Sequence, residues 1–132
     1  MSKTAPVVLV ADDEAVVRTM ARRILEGDGY HVIEAVDGAE AVKILEGGAE
    51  VDLLMADLEM PKLAGEEMVR QCRETHRDLR VLYVSGVIDR LLDARPMLWE
   101  GEAFLNKPFT PAGLLEAANL LLYGTLKKPT TT

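Results

Sequence analysis

Short apolar runs alternate with amphipathic stretches five times along this chain. The first run, Val7–Ala11, is apolar at every position, the pattern of a strand covered on both faces. Val17, Met20, Ala21, Ile24 and Leu25 then recur at helical spacing, with Arg18, Arg22 and Arg23 off the stripe. Gly27 and Gly29 stop that helix. His31–Ala35 is a weaker, more polar strand, expected near an edge of a sheet. Asp37 followed by Glu40 resembles a capping box opening a helix with Ala41, Ile44 and Leu45 on its face, and Gly47-Gly48 ends it. A third strand is predicted over residues 52–56, then a loop running to Gly65 and a helix through Met68, Val69 and Cys72. Residues 81–84 read as a fourth strand, and a helix is expected within residues 88–99, where Pro96 must bend or end it. Residues 103–106 form a short fifth strand. Thr110 and Pro111 make an N-cap and first-turn pair for a last helix carrying Leu114, Leu115, Ala118, Leu121 and Leu122.

Five β–α repeats predict an α/β fold: a five-stranded parallel sheet with helices on both faces. For 132 residues one domain is expected, spanning residues 7–124 between short tails at 1–6 and 125–132. The expected strand order is 2-1-3-4-5, the flavodoxin-like arrangement. A composition of 48% hydrophobic and 28% charged residues is ordinary for a globular protein. The single cysteine, Cys72, rules out an internal disulfide and fits a reducing compartment. No apolar run approaches the roughly 20 residues of a membrane span, and residues 1–6 do not read as a signal peptide, so a cytoplasmic protein away from membranes is expected. A net charge of −7 argues against direct binding to a nucleic-acid backbone.

In an open α/β sheet, function sits beyond the carboxyl ends of the strands, at the switch point between strands one and three. The residues found there are Asp12, Asp13 and Glu14 after strand one, Asp57 after strand three, Ser85 after strand four and Lys107 after strand five. Taken singly, Asp13 reads equally as an N-cap, Asp57 as a loop acid, Ser85 as a cap and Lys107 as a surface charge. Taken together, the carboxylates repel unless a cation or proton sits among them. Mg²⁺, a hard ion bound by one or two carboxylates plus waters and phosphate oxygens, answers that repulsion. Lys107 and Ser85 then offer a charge and a hydrogen bond to an incoming anion. The combination describes a phosphoryl-transfer site.

At these residues the sequence resembles the receiver domains of two-component response regulators. The matching stretches are Val-Ala-Asp-Asp-Glu ending at Glu14, Asp57-Leu-Glu-Met-Pro-Lys-Leu-Ala-Gly65, Val84-Ser85-Gly86 and Phe104-Leu-Asn-Lys107-Pro108-Phe109. The resemblance implies that Asp57 is the phosphoacceptor, taking phosphate from a sensor histidine kinase or a histidine phosphotransfer protein. It implies Mg²⁺ bound directly by Asp13, Asp57 and the backbone carbonyl of Glu59, with Asp12 acting mainly through a coordinated water. Lys107 would pair with the phosphoryl group, across a cis bond to Pro108. Ser85 would follow the phosphate inward and Phe104 fill the vacated space, so that these two residues form the switch. A downstream protein target would then read a face over residues 88–123. Such a protein is a signalling switch and not an enzyme, catalysing only its own phosphorylation and dephosphorylation.

Phe104 stands where the family more often has Tyr, and Ser85 where it often has Thr; Glu59 adds an acid at the mouth and Gly86 adds backbone freedom. An Asp-nucleophile phosphatase would place its nucleophile after strand one with a second Asp two residues on, which Asp12-Asp13-Glu14 does not match. A flavin or nucleotide domain would want a glycine- or hydroxyl-rich phosphate loop in the same place. A receiver-like interaction module that is never phosphorylated is the remaining alternative, opposed by Asp57 and Lys107. His31 and His76 read as surface or strand-end residues, Cys72 as core, and Met97 and Trp99 as packing for the helix before strand five. No helix-turn-helix or catalytic domain follows Gly124, so action through a partner, or a piece of a longer regulator or hybrid kinase, is expected.

Overall fold

A computed structural model describes residues 5–60, 63–86 and 101–124. Five strands, β1 (Val7–Ala11), β2 (His31–Ala35), β3 (Leu53–Asp57), β4 (Arg80–Ser85) and β5 (Glu102–Asn106), form one sheet in the order β2-β1-β3-β4-β5. All four pairings are parallel. Among the described residues there are four helices: α1 (Ala15–Gly27), α2 (Gly38–Glu46), α3 (Gly65–Thr75) and α4 (Pro111–Tyr123). The helix read within residues 88–99, with Pro96, Met97 and Trp99, lies outside the described residues.

The period of two along each strand splits the core into two layers. Leu9, Ala11, Leu54, Ala56, Val81 and Tyr83 face α2 and α3. Val8, Val10, Leu53, Met55, Leu82 and Val84 face α1 and α4. Because both faces are covered, β1 and β3 read as continuous apolar runs, with Leu53 to Ala56 at 2% exposure or less. The more polar β2 lies at an edge, as its pattern implied.

The predicted caps hold. Asp37 accepts a hydrogen bond from the Glu40 backbone N–H, and Thr110 accepts one from Gly113. Glu40 reaches back to the N–H of Val36, one residue earlier than a strict capping box. The αL conformations that end the first two turns and α4 fall on Gly29, Gly48 and Gly124. Cys72 is core, at 1% exposure. Two details differ. Met20, placed on the buried stripe of α1, lies at its flank and is exposed, while Ala21 and Leu25 carry the burial. The strand bounds also differ: β3 is shifted one residue from the reading of 52–56, β4 gains a residue at each end and β5 starts at Glu102, so Asp57 and Ser85 are the last residues of β3 and β4 and not the first of the loops. No helix among the described residues is long and apolar enough to cross a membrane.

Candidate functional site

Backbone hydrogen bonds carry the sheet register just past the strand ends. Asp12 N–H donates to Ala35 O, Leu58 N–H to Val84 O and Lys107 N–H to Ser85 O, at 3.2, 3.1 and 3.2 Å. With Ala11 of β1 in register with Ala56 of β3, the ends of β1, β3, β4 and β5 are level, and their polar residues meet at one edge of the sheet. Asp12 is 2% exposed, Asp57 2% and Ser85 0%; Asp13 is exposed and stands at the mouth. Carboxylate oxygens of Asp12, Asp13 and Asp57 lie within 4.8 Å of one another.

Gly65 lets the start of α3 close on the end of β3. A Cβ on it would lie 2.8 Å from the Asp57 carbonyl oxygen and 2.9 Å from Leu58 Cα, both backbone atoms that cannot swing away. Asp57 pins the β3–α3 loop, its Oδ1 accepting the Glu59 N–H at 2.9 Å. Asp12 does the same for the β1–α1 loop, with Oδ1 accepting the Glu14 N–H at 2.8 Å.

Lys107 is the cation of the site. Its Nζ lies 3.0 Å from Asp12 Oδ2, 3.3 Å from Glu14 Oε1 and 3.5 Å from Asp57 Oδ2. The Lys107–Pro108 peptide bond is cis. Burial works to lower the Lys107 pKa, but the hydrogen bond to Asp12 and the charges of Asp12 and Asp57 outweigh it, so the ammonium is held above its ordinary value. Asp57 moves the other way for a carboxylate. Burial raises its pKa above 3.8; the Glu59 hydrogen bond and Lys107 offset this only in part, and Asp12 adds to the rise. Among the described residues, this one ammonium meets the carboxylates of Asp12, Glu14 and Asp57.

These groups are an acidic, oxygen-lined pocket with one cation among the described residues, Lys107, suited to a hard divalent ion and an anionic group. The chain's relatives decide what kind of domain builds it. Residues 8–119 match the response regulator receiver domain. The chain belongs to that family.

Receiver domains of this kind receive phosphate from histidine kinases and bind Mg²⁺ through acidic residues; the family is a signalling switch and not a metabolic enzyme. Among its relatives, the sensor kinase CckA of Brucella abortus is 39% identical over 112 residues, covering 83% of this chain and 12% of the kinase. The response regulator MprA of Mycobacterium ulcerans is 38% identical over 120 residues, covering 87% of this chain and 49% of that protein. The chain thus spans about half of such regulators, and a small part of such a kinase. A receiver protein of Sinorhizobium medicae superposes with a TM-score of 0.81 at 30% identity, covering 92% of this chain and 97% of that one. The receiver domain of the hybrid histidine kinase CckA gives 0.76 at 33% identity, covering 88% and 98%.

Every residue singled out in the sequence at a strand end is brought to this edge of the receiver fold. Phe104 is half-buried on β5, stacked on Tyr83 of β4 with ring centroids 5.2 Å apart. Tyr83 in turn donates from its hydroxyl to the buried Glu102 carboxylate at 3.2 Å, and Arg73 of α3 donates to the same oxygen at 2.6 Å. Phe104 thus lacks a hydroxyl but stacks on a neighbour that has one. Sequence reading also missed Arg18. Read as solvent-facing, it donates to the Asp12 carbonyl oxygen at 2.7 Å and pairs with Glu34, bracing the acidic loop from outside. Its position one turn into α1, directly after the acids, was the available signal. His31 is exposed as expected; His76 meets the Ala49 carbonyl oxygen at 3.1 Å and takes no part in the site.

Proposed function

We propose that this receiver domain is a switch in which Asp57 takes a phosphoryl group from a phosphohistidine on a sensor histidine kinase or histidine phosphotransfer protein. The observation that supports this best is a buried carboxylate, Asp57, 3.5 Å from the Lys107 ammonium and within 4.8 Å of the Asp12 and Asp13 oxygens. An Asp57 oxygen attacks phosphorus as the phosphorus–nitrogen bond breaks. The electron pair of that bond returns to the imidazole, which takes up a proton, and an aspartyl phosphate remains. Lys107 meets the charge on the transferred group, and its raised pKa keeps it cationic throughout.

Burial, with the charge of Asp12 added, lifts the Asp57 pKa, and a divalent ion would offset both; Asp13, whose carboxylate lies near those of Asp12 and Asp57, is exposed. Mg²⁺ would be held by Asp13, Asp57 and the Glu59 backbone carbonyl, with Asp12 reached through a water. When bound, it neutralises charge on the attacking and transferred oxygens. Ser85 and Phe104 are the switch residues, and a protein target reads a face within residues 88–123, of which β5 and α4 are described. With a net charge of −7, a protein partner suits the domain better than nucleic acid.

Incubation with acetyl phosphate and Mg²⁺ tests the acceptor. One acid-stable, base-labile phosphoryl group per chain is expected by intact mass, with complete loss in Asp57→Asn and on chelation of the metal. Label persisting at the wild-type level in Asp57→Asn would sink the assignment, and a wild-type chain that never labels would favour the interaction-module alternative.

A further inference from the structure

We propose that the Glu59 carboxylate is a latch on the switch: in the unphosphorylated protein it holds the Ser85 hydroxyl and the Gly86 amide that the phosphoryl group needs. The inference rests on the reading of Asp57 as phosphoacceptor and adds a control on that same site. Glu59 is an exposed residue whose side chain turns back onto the pocket edge. Its Oε1 accepts from Ser85 Oγ at 3.0 Å and from Gly86 N–H at 3.3 Å. Its backbone is fixed at the same time, because its own N–H donates to Asp57 Oδ1 at 2.9 Å.

The geometry makes the occupancy exclusive. A serine hydroxyl has one proton to donate. While Glu59 accepts it, a phosphoryl oxygen on Asp57 cannot. The two acceptors also repel, since an aspartyl phosphate places additional negative charge beside a carboxylate only two residues away. Phosphate bonding to Ser85 and the Glu59 contact are therefore alternatives, and each phosphorylation event must release the latch. Because Glu59 is exposed, the released carboxylate finds water at once, which keeps the barrier modest. The latch biases Ser85 toward the resting arrangement until a phosphoryl group outcompetes it.

Bulk repulsion of a phosphodonor by Glu59 would also slow phosphorylation, and two features separate the mechanisms. Repulsion through solvent is screened at about 1 M salt, where the Debye length is about 3 Å, whereas a hydrogen-bonded contact persists. Repulsion does not need Ser85; the latch does. The experiment measures acetyl-phosphate labelling rates, with Mg²⁺, for wild type, Glu59→Ala, Ser85→Ala and the double variant, at low salt and at about 1 M. The latch predicts that Glu59→Ala labels about three- to tenfold faster at both salts, the gain expected when a solvent-exposed contact of ordinary hydrogen-bond strength is lost. In the Ser85→Ala background the same change should gain less than about twofold, because of the two latch contacts among the described residues that to Gly86 remains to be lost. Equal gains in both backgrounds, or a gain that vanishes at high salt, overturn the latch. A wild type that never labels sinks the acceptor reading, and the latch with it. A wild type that labels on Asp57, with Glu59→Ala no faster, sinks the latch alone. An independent check needs no phosphate: in metal-free protein the Gly86 amide should shift and exchange faster with solvent in Glu59→Ala, and an unchanged Gly86 signal counts against the contact.

Discussion

At the amino end of the sheet, polar side chains close off backbone groups. Asp52 accepts the Val7 N–H at 2.8 Å, Arg80 donates to the Leu121 carbonyl oxygen at 3.0 Å, and His76 meets Ala49 O at 3.1 Å. At the carboxyl end, polar side chains instead face one another. Asp12 and Asp57 are buried at 2% exposure beside the Lys107 ammonium, and the Asp57 carboxyl is held above its ordinary pKa. Both ends carry acidic and basic side chains at the margins of the same sheet. One end spends its charges on stability, while the other keeps like charges close and leaves them for an incoming cation and anion to resolve. The receiver site is a place where the fold is locally disfavoured, supported by well-packed layers on either side.

The largest effect on this contrast should come from Gly65→Ala. Its Cβ would sit 2.8 Å from the Asp57 carbonyl oxygen, so α3 and the end of β3 must part. A stability loss of about 2–3 kcal/mol is expected in urea unfolding, together with weakened Mg²⁺ binding because the Asp57 carboxylate moves with its backbone. Unchanged stability and metal affinity would show that the loop does not depend on that close approach.

Asp57→Asn should act in the opposite direction. A carboxyl whose pKa is raised by folding contributes stability that is fully present below its ordinary value of 3.8 and is lost as pH rises through the folded value. At neutral pH the wild type therefore carries the ionised group at a cost that asparagine avoids. In metal-free buffer at pH 7 the variant should melt higher, by on the order of 1 kcal/mol, or about 3–6 °C. The gap should narrow as pH falls toward the carboxylate range, and also on adding Mg²⁺, which binds and stabilises the wild type. A variant that melts lower in metal-free buffer at pH 7 would mean that the Asp57–Lys107 contact outweighs burial and the charge of Asp12.

Much of the fold was legible because it rests on local and periodic signals. Two faces of buried strands and one stripe per helix gave the layers, and the Asp37 and Thr110 caps gave helix starts. The site was legible for a different reason: strand ends in a parallel sheet are level, so residues far apart in sequence could be placed together by topology alone. What escaped depends on contacts between elements. Asp57 and Ser85 belong to their strands because they pair with Val84 and Asn106, and pairing partners are not written in the local pattern. Arg18 looked like any charge off an apolar stripe, since its partners, the Asp12 carbonyl and Glu34, lie on other elements. Glu59 left two orientations open, toward solvent or toward the pocket, and only the placement of Ser85 and Gly86 decides between them. The Tyr83–Phe104 stack follows from their direct pairing across β4 and β5, a register that neither strand announces by itself.

The smallest predicted effect lies at the other end of the sheet. Asp52 precedes β3 and takes the N–H of Val7, the first residue of β1, across 45 positions of sequence. Asp52→Ala removes an acceptor and leaves that N–H to water, which at an exposed site costs the low end of an ordinary hydrogen bond's net worth, about 0.5 kcal/mol. The Asp52 carboxylate stands apart from the acidic pocket, so its loss should leave Mg²⁺ affinity and the labelling rate of Asp57 unchanged. Substituting an acid at the amino end thus lowers stability and spares the chemistry, whereas substituting Asp57 raises stability and ends it. If Asp52→Ala instead stabilised the protein, the two ends would share one electrostatic logic, that of a chain with a net charge of −7 relieved by losing any acid. Urea midpoints of both variants, measured in the same metal-free buffer, distinguish a local contrast between the ends from that global one.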